Sequence, residues 1–182
     1  MIKSIIIKCG IFLLLFSCCY THGISAHESH SHSHDTLITI GKKTFIHLKS
    51  ALSVYQDIYD QLVKKDFNRI TDLAEGLSEA AQQAIRTEPE GPGRHMMEHV
   101  LDGATGLQKA KGMQEAQEAF ASVTDALSPF FTSWPNQLKR NKLKLCRCKN
   151  KHCWLQPQYS PLVCPYSSAQ SSACLDIEVK HE

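Results

Sequence analysis

Five of the chain's eight cysteines, Cys146, Cys148, Cys153, Cys164 and Cys174, fall within its last 37 residues, and none lies between Cys19 and Cys146. Thiols crowded in this way either pair as disulfides or, as thiolates, hold a soft metal ion. All five are disulfide candidates. In an oxidising compartment one or two bridges are expected among them, with at least one thiol left over. The tail lacks the paired Cys-x-x-Cys knuckles of common zinc modules, which argues against a zinc finger. Cys146 and Cys148, one residue apart, would make a strained bridge with each other. Each is therefore expected to pair elsewhere, or both to ligate one metal.

Histidines supply a second set of donors. His27, His30, His32 and His34 fall within eight residues of a polar, low-complexity stretch with nothing apolar to bury, which is expected to be disordered. Near neutral pH much of the imidazole population is unprotonated. Alternating spacing on a mobile chain then lets several rings converge on Cu(II), Ni(II) or Zn(II). The plainer alternative is a solvated linker. His95-Met96-Met97-Glu98-His99 is a further polar constellation, because residues four apart on a helix project to one side. His95 and His99 could share a metal, with Met96 offering a thioether to Cu(I). The plainer alternative is two exposed histidines with Met96 in the core. His-Glu-x-x-His zinc chemistry is absent, since Glu98 precedes the second histidine instead of following the first.

The first residues suggest where this chemistry takes place. A basic start with Lys3 and Lys8, an apolar run from Cys9 to Tyr20 and the small-residue stretch Gly23-Ile-Ser-Ala26 read as a secretory signal over residues 1–26. The run is short for a membrane-spanning helix. Leu15-Phe16-Ser17-Cys18 resembles a bacterial lipobox, making Cys18 a lipidation candidate and a lipid anchor the one expected membrane attachment. Cleavage after Ala26 removes two lysines and no acid, leaving 18 basic against 18 acidic side chains. A near-neutral chain of about 150 residues suits one domain and gives no electrostatic reason to bind nucleic acid.

Positioning these donors requires a scaffold, and the apolar periodicity is helical. Leu48, Leu52, Tyr55, Ile58 and Leu62 form one stripe that ends near Lys65. Asp66 reads as the N-cap of a second helix bearing Ile70, Leu73, Leu77, Ala81 and Ile85, which stops at the breaker cluster Glu88-Pro-Glu-Gly-Pro-Gly93. Met96, Val100, Leu101, Ala104 and Leu107 mark a third. Met113, Ala116, Phe120, Val123 and Leu127 mark a fourth, which Pro129 should bend or end. The expected fold is all-α: an antiparallel up-and-down four-helix bundle with a small irregular, partly strand-like Cys-rich C-terminal tail. Its parts are a signal (1–26), a His-rich linker (27–42), the bundle (43–134) and the tail (135–182).

The tail opens with Lys139, Arg140, Lys142, Lys144, Arg147, Lys149 and Lys151, without one acid among them. Lys142-Leu143-Lys144-Leu145 alternates like a strand. The run could meet an anionic membrane or partner, and its cations would favour thiolates at Cys146, Cys148 and Cys153. The plainer expectation is a solvated edge strand guarded by lysines.

The helices and tail together resemble domain of unknown function family 3347, exported bacterial proteins whose domain is also fused behind periplasmic adaptor subunits of heavy-metal efflux systems. Tyr55 to Leu77 and Leu101 to Leu127 look like its helices, Trp154-Leu155-Gln156 like its Trp-Leu element, Pro165-Tyr166 like its Pro-Tyr and Cys174 like its last cysteine. The likeness covers roughly residues 45–178. Cys146-Arg147-Cys148 stands where the family has Cys-Pro-Met, Cys164 replaces an asparagine, and Ser171 replaces the terminal methionine. The resemblance implies a role near metal, copper above all, with Cys146, Cys148 and Cys174 as ligands and an efflux adaptor or other envelope protein as partner.

The expected function is thus a non-enzymatic, exported, periplasmic metal-binding protein accessory to heavy-metal handling, with Cu(I) at the thiols. The alternative is a disulfide-stabilised structural or interaction module with no metal role. A thiol oxidoreductase would need Cys148 beside a resolving cysteine in a thioredoxin-like setting, which is missing. Hydrolase chemistry finds no nucleophile, base and orienting group.

Overall fold

The computed structural model describes residues 38–133, 135–148, 151–167 and 174–177. The expected signal over residues 1–26 with Cys18, the histidines of the 27–34 tract and Trp134 lie outside them. Four long helices, α1 (Lys42–Lys64), α2 (Phe67–Thr87), α3 (Pro92–Lys109) and α4 (Met113–Thr132), pack each on the next as an antiparallel bundle. The α1 stripe behaves as its spacing requires, with Leu48, Leu52, Tyr55, Ile58 and Leu62 all buried. At its end Lys65 takes the left-handed conformation (φ 60°). The Asp66 N–H returns to the Gln61 carbonyl at 3.0 Å, closing orphan acceptors of the last turn. Asp66 is the N-cap of α2 by position, but its side chain makes no capping bond.

Local features set how several of these elements begin and end. The segment assigned to the linker is folded from residue 38 onward: Ile38 is buried and the Gly41 N–H donates to Glu88 Oε2 at 3.0 Å. Helix α3 begins inside the breaker cluster, because a proline in the first turn gives up an N–H that has no helical partner there. Helix α4 runs on through Pro129. The Asp125 carbonyl, which Pro129 cannot reach, accepts instead from Ser128 Oγ at 3.4 Å. A short helix α5 (Pro135–Arg140) then leads into the tail. Between α3 and α4 contact is close at Gly103, where a Cβ would stand 2.6 Å from Val123 Cγ2.

The tail is a three-stranded antiparallel sheet in the order β2-β1-β3, with β1 at Leu143–Arg147, β2 at Cys153–Pro157 and β3 at Leu175–Asp176. The lysine-bearing strand is therefore the centre of the sheet and not an edge. It pairs with β2 from Leu143↔Pro157 to Arg147↔Cys153, and with β3 at Cys146↔Asp176 and Arg147↔Leu175. Leu143, Leu145 and Cys146 are buried, so the strand has an interior that lysine alternation alone does not suggest. Among the described residues no helix is long and apolar enough to cross a membrane.

Strand β2 packs against both α4 and α1. Trp154 and Leu155 are fully buried there, removing large apolar surfaces from water. The outer side of β2 would leave backbone groups buried without partners, and α1 supplies them. The Leu155 N–H donates to Tyr55 Oη at 3.0 Å, and Gln56 Nε2 donates to the Leu155 carbonyl at 3.1 Å. Thr124 spends its single hydroxyl proton on the Phe120 carbonyl (3.0 Å), so Tyr55 is the donor in its 2.7 Å bond with Thr124. One relay thus runs from β2 through α1 to α4. Burial raises the Tyr55 pKa, keeping the phenol protonated as the relay requires.

Removing the Tyr55 hydroxyl tests this seating. Tyr55→Phe keeps the stacking on Phe120, whose ring centroid lies 4.5 Å away, but strands the Leu155 N–H. The expected loss is about 1–3 kcal/mol, read as a lower urea midpoint with an unchanged slope. A midpoint equal to wild type would remove the relay from the account of the fold.

Candidate metal centre

The site is built where the β1–β2 hairpin, β3 and the loop after β2 meet. Cys148 follows the last residue of β1 and opens the hairpin, with its N–H on the His152 carbonyl and its own carbonyl accepting from Lys151, both at 2.9 Å. Lys151 takes the left-handed conformation that turns the chain back (φ 71°). On the other side of β1 the pairing Cys146↔Asp176, Arg147↔Leu175, continued by one residue, sets Cys174 opposite Cys148. Their sulfurs are 3.2 Å apart.

Cys164 arrives on a loop held at successive points. Gln156 Nε2 donates to the Ser160 carbonyl at 3.2 Å and the Pro161 carbonyl at 2.9 Å, and Lys144 Nζ also donates to Ser160. Tyr59 Oη donates to the Val163 carbonyl at 3.0 Å, and Gln117 Nε2 to the Pro165 carbonyl at 2.7 Å. The residues on either side of Cys164 are thus fixed by α1 and α4. Tyr166 Oη closes the loop on the Cys153 carbonyl at 2.7 Å. Gln156 is completely buried and nonetheless satisfied, because its Oε1 accepts from Trp154 Nε1 at 2.9 Å.

The outcome is a triad: the sulfur atoms of Cys148, Cys164 and Cys174 all lie within 4.8 Å of one another. Cys148 and Cys164 are joined as a disulfide, while Cys174, Cys146 and Cys153 are thiols. Three thiolates are a soft donor set, suited to Cu(I) or Zn(II). Sulfurs each about 2.3 Å from one ion stand about 4 Å apart, so all three could serve one ion only with the Cys148–Cys164 bond open. The cluster could therefore hold a metal ion, and it also carries a disulfide. The two uses draw on the same atoms.

The membership differs from the one expected. Cys146 lies outside the cluster and Cys164 completes it, because the loop anchored by Tyr59 and Gln117 delivers Cys164 to Cys148. Cys146 is fully buried. Burial pushes its thiol up to about 12, aided by Asp176 and against the pull of Lys144, so the basic run does not make Cys146 a thiolate. Cys153 is half-buried beside the Lys151 carbonyl.

His95 and His99 project from the outer face of α3 with their Nε2 atoms 3.0 Å apart. Met96 is in the core, turned away from them by the helix, and is no ligand to that pair. The sequence marks Cys164 as a disulfide candidate, which it is, but gives no sign that it joins Cys148 and Cys174 in one cluster, nor of the anchors Tyr59, Gln117 and Gln156. Tyr55 and Tyr59, four apart on the buried face of α1, were the available signal: buried phenols seek partners. Comparison with protein-family models, curated proteins and solved structures finds no match to this chain.

The Cys146 thiol gives a pH test. Folding favours its neutral form, so this stabilisation is complete below the ordinary thiol value of 9.0 and is lost as pH rises through about 12. Cys146→Ala is expected to flatten the decline in stability between about pH 8 and about pH 10.5 in urea melts. Equal slopes for mutant and parent would count against a protonated, buried Cys146. Iodoacetamide at about pH 8 is expected to label Cys153 in the native protein and Cys146 after denaturation only.

Proposed function

We propose that this chain is a non-enzymatic protein of the cell envelope that binds a soft transition metal, copper as Cu(I), through the thiolates of Cys148, Cys164 and Cys174. It serves heavy-metal handling by holding copper or passing it to an efflux partner. The convergence of three sulfurs from three separate segments carries this reading. It draws further support from the secretory character of residues 1–26, the histidine tract and the resemblance of Trp154-Leu155, Pro165-Tyr166 and Cys174 to the efflux-associated family. The basic run from Lys139 to Lys151 helps offset the charge that three thiolates leave around a monovalent ion. In this reading the ligand state is the reduced one. Two external thiols supply two electrons and two protons to open Cys148–Cys164 and leave joined as a disulfide, and Cu(I) then displaces the thiol protons of the cluster.

A specific observation favours a second reading. The Cys148–Cys164 disulfide ties the hairpin to the anchored loop across a separation of 16 residues, and such a bridge stabilises by about 3 kcal/mol. On that reading the tail is a stapled structural module and Cys174 a bystander.

Cu(I) binding by the reduced chain separates the two. The protein lacking residues 1–26 is reduced, freed of reductant without air and titrated against a chromogenic Cu(I) chelator. One tightly held Cu(I) is expected, with affinity falling at least about a hundredfold in Cys174→Ser and unchanged in Cys146→Ser. If Cys174→Ser binds as parent does, or the reduced parent fails to compete, the triad is not the copper site. A loss of about 3 kcal/mol in Cys148→Ser without copper competition would establish the staple.

A further inference from the structure

A second cluster of donors lies on α3, and its geometry says more than its spacing. The Nε2 atoms of His95 and His99 face each other at 3.0 Å, with the ring centroids 4.3 Å apart and the planes at 67°. Met96, Met97 and Val100 on the opposite face are buried, so the turn that carries the pair is fixed to the core and little ordering remains to be done on binding. Two nitrogens bonded at about 2.0–2.1 Å to one ion stand about 2.9 Å apart when they subtend a right angle, and about 3.3 Å apart at a tetrahedral angle. The observed separation, that of a hydrogen bond between the rings, already lies close to the right-angle value, so little movement is needed to bind an ion in that geometry. Neighbouring nitrogen ligands at right angles are the preference of tetragonal Cu(II) and Ni(II), whereas Zn(II) prefers the wider angle.

Charge around the pair is consistent with a cation. Glu98 places Oε2 3.8 Å from His95 Nδ1, the ring nitrogen that is not part of the close pair. A carboxylate there favours the tautomer with its proton on Nδ1, leaving Nε2 as the ligand atom. Arg94 bonds Glu98 Oε1 at 3.1 Å, holding the carboxylate in place.

We propose that His95 and His99 form a second, surface site for a borderline divalent ion with right-angle nitrogen ligands, Cu(II) or Ni(II), independent of the cysteine triad. Without metal, one imidazole donates its Nε2 proton to the other. The ion takes the place of that proton, which passes by way of water to Nδ1 of the same ring, so both imidazoles bind as neutral ligands and water completes the coordination.

Ni(II) is the probe, because it does not oxidise the thiols that remain. The full chain, with Cys148–Cys164 oxidised and His27, His30, His32 and His34 each replaced by Ser, is titrated with Ni(II) by calorimetry and melted with and without it. The expected result is one Ni(II) bound with a rise in melting temperature. Adding His95→Ala or His99→Ala should lower the affinity at least about tenfold and abolish the rise that Ni(II) gives over each variant's own metal-free melting temperature. Unchanged Ni(II) affinity in either variant overturns the proposal, as does a parent that binds no Ni(II). Neither outcome bears on the triad, whose test uses Cu(I) and cysteine variants.

Discussion

A strand edge buried against a helix must find partners for its backbone groups, and β2 meets this constraint through side chains of α1. The Leu155 N–H and carbonyl turn to Tyr55 and Gln56, and without them the edge would bury one orphan donor and one orphan acceptor. An apolar contact fixes how much surface is covered but leaves a strand free to slide. Hydrogen bonds to one peptide unit fix register. Because Tyr55 in turn donates to Thr124 on α4, the same phenol sets the position of β2 against two helices at once. Trp154 and Gln156, on either side of Leu155, are both fully buried, and their mutual bond leaves neither polar group without a partner.

The cysteine triad inherits its geometry from that register. Placing β2 places β1 by ladder pairing, β1 places β3, and the last pairs of these ladders bring Cys174 and Cys148 face to face. Cys164 is placed by a different device, the capture of loop carbonyls by Tyr59 and Gln117. Two independent constraints therefore converge on Cys148. Such convergence can serve a bridge, which needs two sulfurs, or an ion, which can use the third as well.

The bundle was legible because each helix carries its own evidence: Leu48 to Leu62 on α1 repeats at the helical period whatever else the chain does. The strand β1 was legible as a strand but not as the centre of a sheet, since Lys144 and Lys142 advertise solvent while the partners that cover the strand come from Cys153–Pro157 and Leu175–Asp176. Pro92 and Pro129 read as breakers, yet one sits where a missing N–H is harmless and the other has Ser128 to cover the carbonyl it leaves. For the site, the composition of the tail announced thiol chemistry but could not say which thiols meet. That Cys164 and not Cys146 meets Cys148 and Cys174 follows from loop capture by Tyr59 and Gln117, a tertiary event with no local signature.

Burial separates the cysteines by chemistry more firmly than spacing does. Cys146, enclosed next to Tyr59 and Asp176, keeps its proton and behaves as a small apolar side chain. Cys164 and Cys174 are nearly as enclosed. What distinguishes them is company, since each lies against Cys148. A disulfide removes the proton without creating charge, and a bound metal removes it while supplying the charge that burial demands. Cys148 and Cys164 take the first of these routes. The exposed imidazoles of α3 face no such requirement, because a neutral histidine is already a ligand. The protein thus carries a sulfur cluster that includes a disulfide and, on α3, a pair of imidazoles whose Nε2 atoms face each other.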